Sequence, residues 1–338
     1  MLDALCTFAA HGMRAGALAA DSQWSPLYAR HRFDLVLGSS IAGRTAFIRI
    51  VEREAPPLAL AAIGYEAPDL EAIRQAVHAP AGLVLVVGPA GSGKTTSLYS
   101  MLGLLDPRRR SIQTIESPVR CPVDRWLQFE IAQSRRRRGA ERWEHRLGWL
   151  LQNGPDAILL GRIATPGTVQ LALQAACSGS LVFSTMTVER ASNVLAELYR
   201  LRAQPAQVLA ALSLAIAQRL IGRLCPDCSE PDERGEVRAV LAAALNTWLA
   251  GASVRARRAS ETGCARCNGT GYLGRILVYE LIEIDSRVRG LIGSAAETVE
   301  LERALVADGR TLWDHGLKRV ADGMTSLDAL RAAVRPPR

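Results

Sequence analysis

Short, unbroken apolar runs separated by helix-length stretches dominate the 338-residue sequence. Leu83 to Val87 reads Leu-Val-Leu-Val-Val, without a polar position, and predicts a strand buried on both faces of a parallel sheet. Ile112 to Ile115, Ala157 to Leu160 and Leu181 to Phe183 are runs of the same kind. Strands of this type alternating with helices predict an α/β fold built on a doubly wound parallel sheet. Upstream the signal is weaker. Arg32 to Leu37 and Thr45 to Val51 pattern as strands, Pro56-Pro57 breaks the chain, and a helix is expected from Asp69 to His78. From Leu224 the pattern gives way to paired cysteines around a Pro- and Arg-containing insert. After Tyr279 the sequence reads as helical to the end, with amphipathic spacing through Leu301, Leu305, Leu312, Leu317 and Val320.

The longest apolar run, Val208 to Ala217, is interrupted by Ser213 and ends at Gln218-Arg219. That is too short for a membrane span, which needs ~20 residues. Met1-Leu2-Asp3 begins without a basic stretch followed by an apolar core, so no signal peptide is expected. These features predict a soluble or peripheral protein in the cytoplasm. Of seven cysteines, four form two C-x-x-C pairs, while Cys6, Cys121 and Cys177 are scattered and read as small buried apolar residues.

Composition narrows the picture further. With 49% hydrophobic and 22% charged residues the chain is not globally disordered, and its length suits two or three domains. The net charge of +8 comes from 41 basic against 33 acidic residues, and Lys94 and Lys318 are the only lysines. The clusters Arg108-Arg109-Arg110 and Arg135 to Arg138 read as solvated basic loops or polyanion contacts. Without interleaved aromatics they do not by themselves indicate nucleic-acid binding.

One of the two lysines completes a motif. Gly88-Pro89-Ala90-Gly91-Ser92-Gly93-Lys94-Thr95 matches G-x-x-x-x-G-K-[ST] between a predicted strand and a helix expected from Lys94 to about Leu105. The glycines let backbone N–H groups converge on phosphates at a helix N-terminus, Lys94 reaches the β- and γ-phosphates, and Thr95 ligates Mg²⁺. The candidate nucleotide site is therefore residues 88–95 together with Thr96. Hydrolysis further requires acidic groups and a means of orienting water. Glu116, ending the strand Ile112 to Ile115, is one candidate. Asp156 precedes its strand and is expected at the sheet edge away from the phosphates, because ligands in open α/β sheets bind at the carboxyl ends of strands. At that end stands Gly161-Arg162, and an arginine is neither a base nor a metal ligand.

Cys225-Pro226-Asp227-Cys228 and Cys264-Ala265-Arg266-Cys267 are two C-x2-C knuckles separated by 35 residues, 229–263. Two knuckles suit a closed tetrahedral S₄ zinc site of structural type. Redox chemistry and free thiols are the alternatives.

Taken together, these motifs resemble the assembly ATPases of bacterial type II secretion and type IV pilus systems. Residues 88–99 resemble that family's Walker A loop and helix, and Gln113 to Val119 its aspartate box. Gly154 to Gly161 is similar to its Walker B strand, and Leu181 to Thr185 to the start of its histidine box. Ala217-Gln218-Arg219-Leu220 with Leu224-Cys225-Pro226 looks like the entry to its four-cysteine zinc insert. Gly269 to Tyr272 and Thr311 to Ser326 continue the likeness, which covers about residues 45–335. The resemblance implies a RecA-like P-loop core, ATP with Mg²⁺ and Zn²⁺ as cofactors, a homo-hexamer or a mixed hexamer with a paralogous ATPase, and an inner-membrane platform as partner. It implies no stable nucleic-acid complex. The expected domains are a truncated N-terminal α/β domain (1–78), the nucleotide-binding domain (79–222), a zinc subdomain (223–280) and a C-terminal helical subdomain (281–338).

The departures concern chemistry. The family's acids in the aspartate box fall at Ser117 and Arg120, although Glu116 is kept. Its Walker B glutamate falls at Arg162, the arginine two residues on at Ala164, and its histidine at Thr187. Two arginine positions align with Gly148 and Gln152. The expected function is an ATP-binding assembly or regulatory subunit with weak or lost hydrolysis, Lys94 and Glu116 being the remaining catalytic candidates. An active hexameric motor is the alternative, and a zinc-ribbon nucleic-acid binder a third.

Overall fold

The computed structural model describes residues 23–24, 27–28, 31–40, 43–52, 58–131, 138–245, 254–293, 300, 303 and 311–336. Met1 to Asp3, Cys6, Arg135 to Arg137, Leu301 and Leu305 lie outside them. The chain divides into two units, 1–56 and 57–338.

In the first unit, β1 (Gln23–Trp24) and β2 (Leu27–Tyr28) each pair antiparallel with β3 (His31–Ser40). β4 (Gly43–Glu52) pairs antiparallel with β3 from His31↔Glu52 to Ser40↔Gly43. The two strands expected here fall within β3 and β4.

The second unit is a mixed α/β body that also carries a small antiparallel pair, β11 (Glu230–Pro231) and β12 (Arg257–Arg258). Its sheet runs β13 (Tyr272–Glu283), β10 (Leu212–Leu224), β5 (Gly82–Val87), β9 (Leu181–Met186), β8 (Ala157–Leu160), β6 (Ile112–Glu116), β7 (Leu127–Glu130). All neighbours are parallel except β10 and β13. The absence of polar positions in Leu83 to Val87 has a direct cause. Leu83, Leu85 and Val87 enter one hydrophobic core while Val84 and Val86 enter the other, and all five are fully buried. The first core is covered by α3 (Arg138–Leu151), α4 (Pro166–Cys177), α5 (Asn193–Arg200), α6 (Pro205–Ala211), α7 (Gly235–Leu245), α9 (Leu312–Ala321) and α10 (Leu327–Ala333). The second is covered by α1 (Ala67–His78) and α2 (Lys94–Leu102). Helix α8 (Ser286–Gly293) follows β13. The helix expected from Asp69 thus lies in the second unit.

Three expectations are corrected. Cys177, read as buried, is exposed, whereas Cys121 is buried as expected. The apolar run from Val208 is a short helix followed by a 13-residue strand that continues through Gln218-Arg219 to Leu224. The chain after Tyr279 also stays extended as far as Glu283, where β13 ends. Strands β10 and β13 pair from Leu214↔Glu283 to Leu224↔Tyr272, so the cysteine insert hangs from the end of a long antiparallel pair within the main sheet. Among the described residues, no helix is long and apolar enough to cross a membrane.

Candidate functional site

The phosphate loop lies at the carboxyl end of β5, and α2 begins at Lys94 and ends at Leu102, capped by Gly103. Gly88, Gly91 and Gly93 all have positive φ (143°, 76° and 86°). At Gly88 the reason is also steric, since a Cβ there would lie 2.6 Å from the Gln218 carbonyl oxygen. At Gly91 a Cβ would meet nothing within 4 Å, so the loop tip faces open space. Lys94 donates to the carbonyls of Gly88 (2.8 Å) and Pro89 (2.6 Å). Its pKa is lowered by burial and by the nearby Arg219 guanidinium. The buried Ser92 hydroxyl has no partner among the described residues. A loop with a partnerless hydroxyl, an open tip and a half-buried ammonium fits a nucleotide's phosphates.

A residue supporting this loop and the arginine next to it were missed in the sequence because they follow the apparent end of an apolar run. Gln218, fully buried in β10, donates through Nε2 to the Ser92 carbonyl (2.7 Å). Its Oε1 accepts from the Tyr65 hydroxyl (3.1 Å) and the Ser97 hydroxyl (3.0 Å). Arg219 is held by backbone alone, donating to the carbonyls of Gln218 (3.0 Å) and Glu189 (2.9 Å).

At the other strand ends, Glu116 closes β6 but is enclosed. The Tyr99 hydroxyl of α2 lies 2.8 Å from both its carboxylate oxygens, and Thr114 donates at 2.8 Å. Burial raises its pKa against these donors. Gly161 ends the β8 segment where the backbone passes closely, since a Cβ would meet the Ile115 carbonyl and the Trp143 ring at 3.2 Å each. Arg162 follows it and is exposed, as is Thr187 after β9, whereas Ser117 and Arg120 are half-buried. Asp156 sits at the opposite, amino end of the sheet, accepting from the Ser111 N–H at 2.7 Å, as expected. Glu144 of α3 carried no signal in the sequence. Its Oε1 accepts from the Thr165 hydroxyl at 2.8 Å, and its carboxyl fills the space that a side chain at Gly167 would take.

The four cysteines converge, with all Sγ atoms within 4.8 Å of one another. Cys225–Cys264, Cys228–Cys267 and Cys264–Cys267 are each 3.8 Å apart. A tetrahedron with Zn–S bonds of ~2.3 Å has edges of ~3.8 Å, so the donors fit zinc. N–H groups of Cys264 and Gly271, both 3.2 Å from the Cys267 sulfur, hold its pKa down to about 6.

Residues 36–332 match the model of the family described as "Type II/IV secretion system protein". The chain belongs to this family. It is 31% identical over 316 residues to the type II secretion system ATPase E of Vibrio cholerae, covering 94% of this chain and 59% of that protein. It is also 31% identical over 310 residues to the type IV pilus assembly ATPase PilB of Myxococcus xanthus, covering 88% and 52%. It thus spans a little over half the length of these relatives. The fold resembles the pilus retraction motor PilT with bound ADP (TM-score 0.65, 22% identity, 94% of this chain and 78% of that one). It also resembles the Legionella pneumophila ATPase DotB (TM-score 0.63, 18% identity, 92% and 76%). Arg162 and Thr187 are exposed at the carboxyl ends of β8 and β9, and β9 lies between β8 and the phosphate-loop strand β5.

Proposed function

We propose that this member of the type II/IV secretion family binds ATP with Mg²⁺ but hydrolyses it slowly or not at all, acting as an assembly or regulatory subunit. Residues 88–96 cradle the phosphates, with Lys94 on the β- and γ-oxygens and Thr95 on Mg²⁺. Cys225, Cys228, Cys264 and Cys267 hold a structural Zn²⁺ that closes the insert. The family supports a homo-hexamer, or a mixed hexamer with a paralogous ATPase, on the cytoplasmic side of an inner-membrane secretion or pilus platform.

One observation carries the reading on hydrolysis. The position at the end of β8 where a carboxylate would serve the reaction holds the exposed cation Arg162. Glu116, the remaining acid, already accepts from Tyr99 and Thr114 in a buried pocket. Loss of a general base typically costs ~10²–10⁴ in rate. ATP binding and turnover measured side by side on wild type, Lys94→Ala and Arg162→Glu provide the test. The expected outcome is tight binding in wild type, loss of binding in Lys94→Ala, and turnover that rises only in Arg162→Glu. Wild-type turnover well above the Lys94→Ala control would establish the active motor instead.

A further inference from the structure

A cleft of about 480 Å³ opens beside the phosphate loop, between Pro89, the turn 187–190 after β9, Arg219 of β10, the start of α9 and the C-terminal segment 331–335. Four arginines line it, Arg190, Arg219, Arg331 and Arg335, against a single lining carboxylate, Glu189. Two of the four are matched elsewhere: Arg190 lies 3.6 Å from the buried Glu280 carboxylate, and Arg331 3.1 Å from Glu236. The ion pairs among the described residues include neither Arg219 nor Arg335. Arg219 is half-buried and, among the described residues, donates to two backbone carbonyls and forms no ion pair, so its orientation is fixed while the Glu189 and Glu280 carboxylates act on its charge only at longer range.

The walls of the cleft are also fixed. Glu280, buried in β13, accepts from Ala191 N–H (2.6 Å) on one side and Leu312 N–H (3.1 Å) on the other. It thereby ties the turn after β9 to the start of α9. Four guanidinium groups around a cavity of this size, Arg190 and Arg219 among them fixed by contacts and Arg331 and Arg335 exposed at its rim, match an anion with several charges and several oxygens, since each binds two oxygens in a fork.

We propose that this cleft is a second anion site, separate from the phosphate loop, that takes a di- or triphosphate group. The group is either free or carried by a nucleotide, and the site does not depend on hydrolysis. Pro89 forms part of both the loop and the cleft, so the two sites share a wall.

The test uses the full chain with its zinc. Nucleotide binding is measured first, and the phosphate loop is then filled with a non-hydrolysable ATP analogue. Pyrophosphate and ADP are titrated separately by calorimetry into this protein, into Lys94→Ala, and into the double variant Arg331→Ala/Arg335→Ala. Pyrophosphate is expected to bind the filled protein and Lys94→Ala alike. It should bind the double variant ~10-fold or more weakly and lose affinity with added salt. ADP binding as a second equivalent marks a nucleotide-borne ligand, and pyrophosphate binding alone marks a free one. The proposal is overturned if pyrophosphate does not bind, if its binding disappears once the loop is filled or Lys94 removed, or if the double variant binds it as wild type does. Arginine-dependent binding in a chain that takes no ATP would refute the proposed function and leave the cleft standing.

Discussion

Replacing Gln218 with methionine keeps the side-chain volume while removing its side-chain hydrogen bonds, which isolates the polar contribution of this side chain to the phosphate loop. Three groups lose a partner: the Ser92 carbonyl, the Tyr65 hydroxyl and the Ser97 hydroxyl. Ser97 lies in α2 and can turn its hydroxyl to the carbonyl four residues back, so its loss is small. The other two are enclosed, and each buried polar group left unsatisfied costs ~1–3 kcal/mol. The sum is about 3 kcal/mol, which at ~2–4 °C per kcal/mol lowers the melting temperature by roughly 6–12 °C. The Ser92 segment also loses its anchor to β10, so affinity for Mg-ATP should fall along with stability. Thermal melts without nucleotide, followed by ATP calorimetry at a temperature where both proteins are folded, separate the two effects. A Gln218→Met variant that melts within ~2 °C of wild type and binds ATP equally would refute the idea that Gln218 braces the loop.

Two further outcomes are expected. His315 is buried against Tyr279, with Glu66, Lys318 and Arg319 around it, and burial with the two cations lowers its pKa to about 3. It therefore stays neutral in the folded protein while an unfolded histidine titrates near ~6.5. The stability it contributes is present above pH ~6.5 and is lost as pH falls toward 3, at up to ~1.4 kcal/mol per pH unit. In urea titrations between pH 6 and 4, His315→Gln should lose stability less steeply than wild type, and parallel curves would contradict this. Zinc removal by chelation should expose residues 225–271 to protease while the paired segments of β10 and β13, and ATP binding, persist. An unchanged digestion pattern after complete metal removal would count against the site.

The legible parts of the fold were those where burial leaves one chemical solution. Leu83 to Val87 had to be apolar at every position because both faces of β5 are covered. The glycines of the phosphate loop are likewise tied to backbone angles and a 2.6 Å approach. Strands β10 and β13 were illegible for the opposite reason. Their interiors carry Gln218 and Arg219, which read as the end of an apolar run, and Glu280, which falls where the sequence reads as helical. They are tolerated because Gln218 and Glu280 are satisfied by the loop and by the walls of the cleft, partners far away in sequence. The site divided in the same way. Local motifs located the phosphate loop and the cysteine cluster, while Glu144, whose carboxyl lies over Gly167, depends on how α3 packs against α4.

The Glu280 carboxylate has a mechanical consequence. Because its two oxygens hold N–H groups on opposite sides of the cleft, the gap between Ala191 and Leu312 behaves as a calliper locked at one setting. Widening it would strip a donor from a buried carboxyl group. The width of the cleft at this point is therefore set by one buried side chain. Any rearrangement of this region has to carry the turn after β9, β13 and the start of α9 together as one piece.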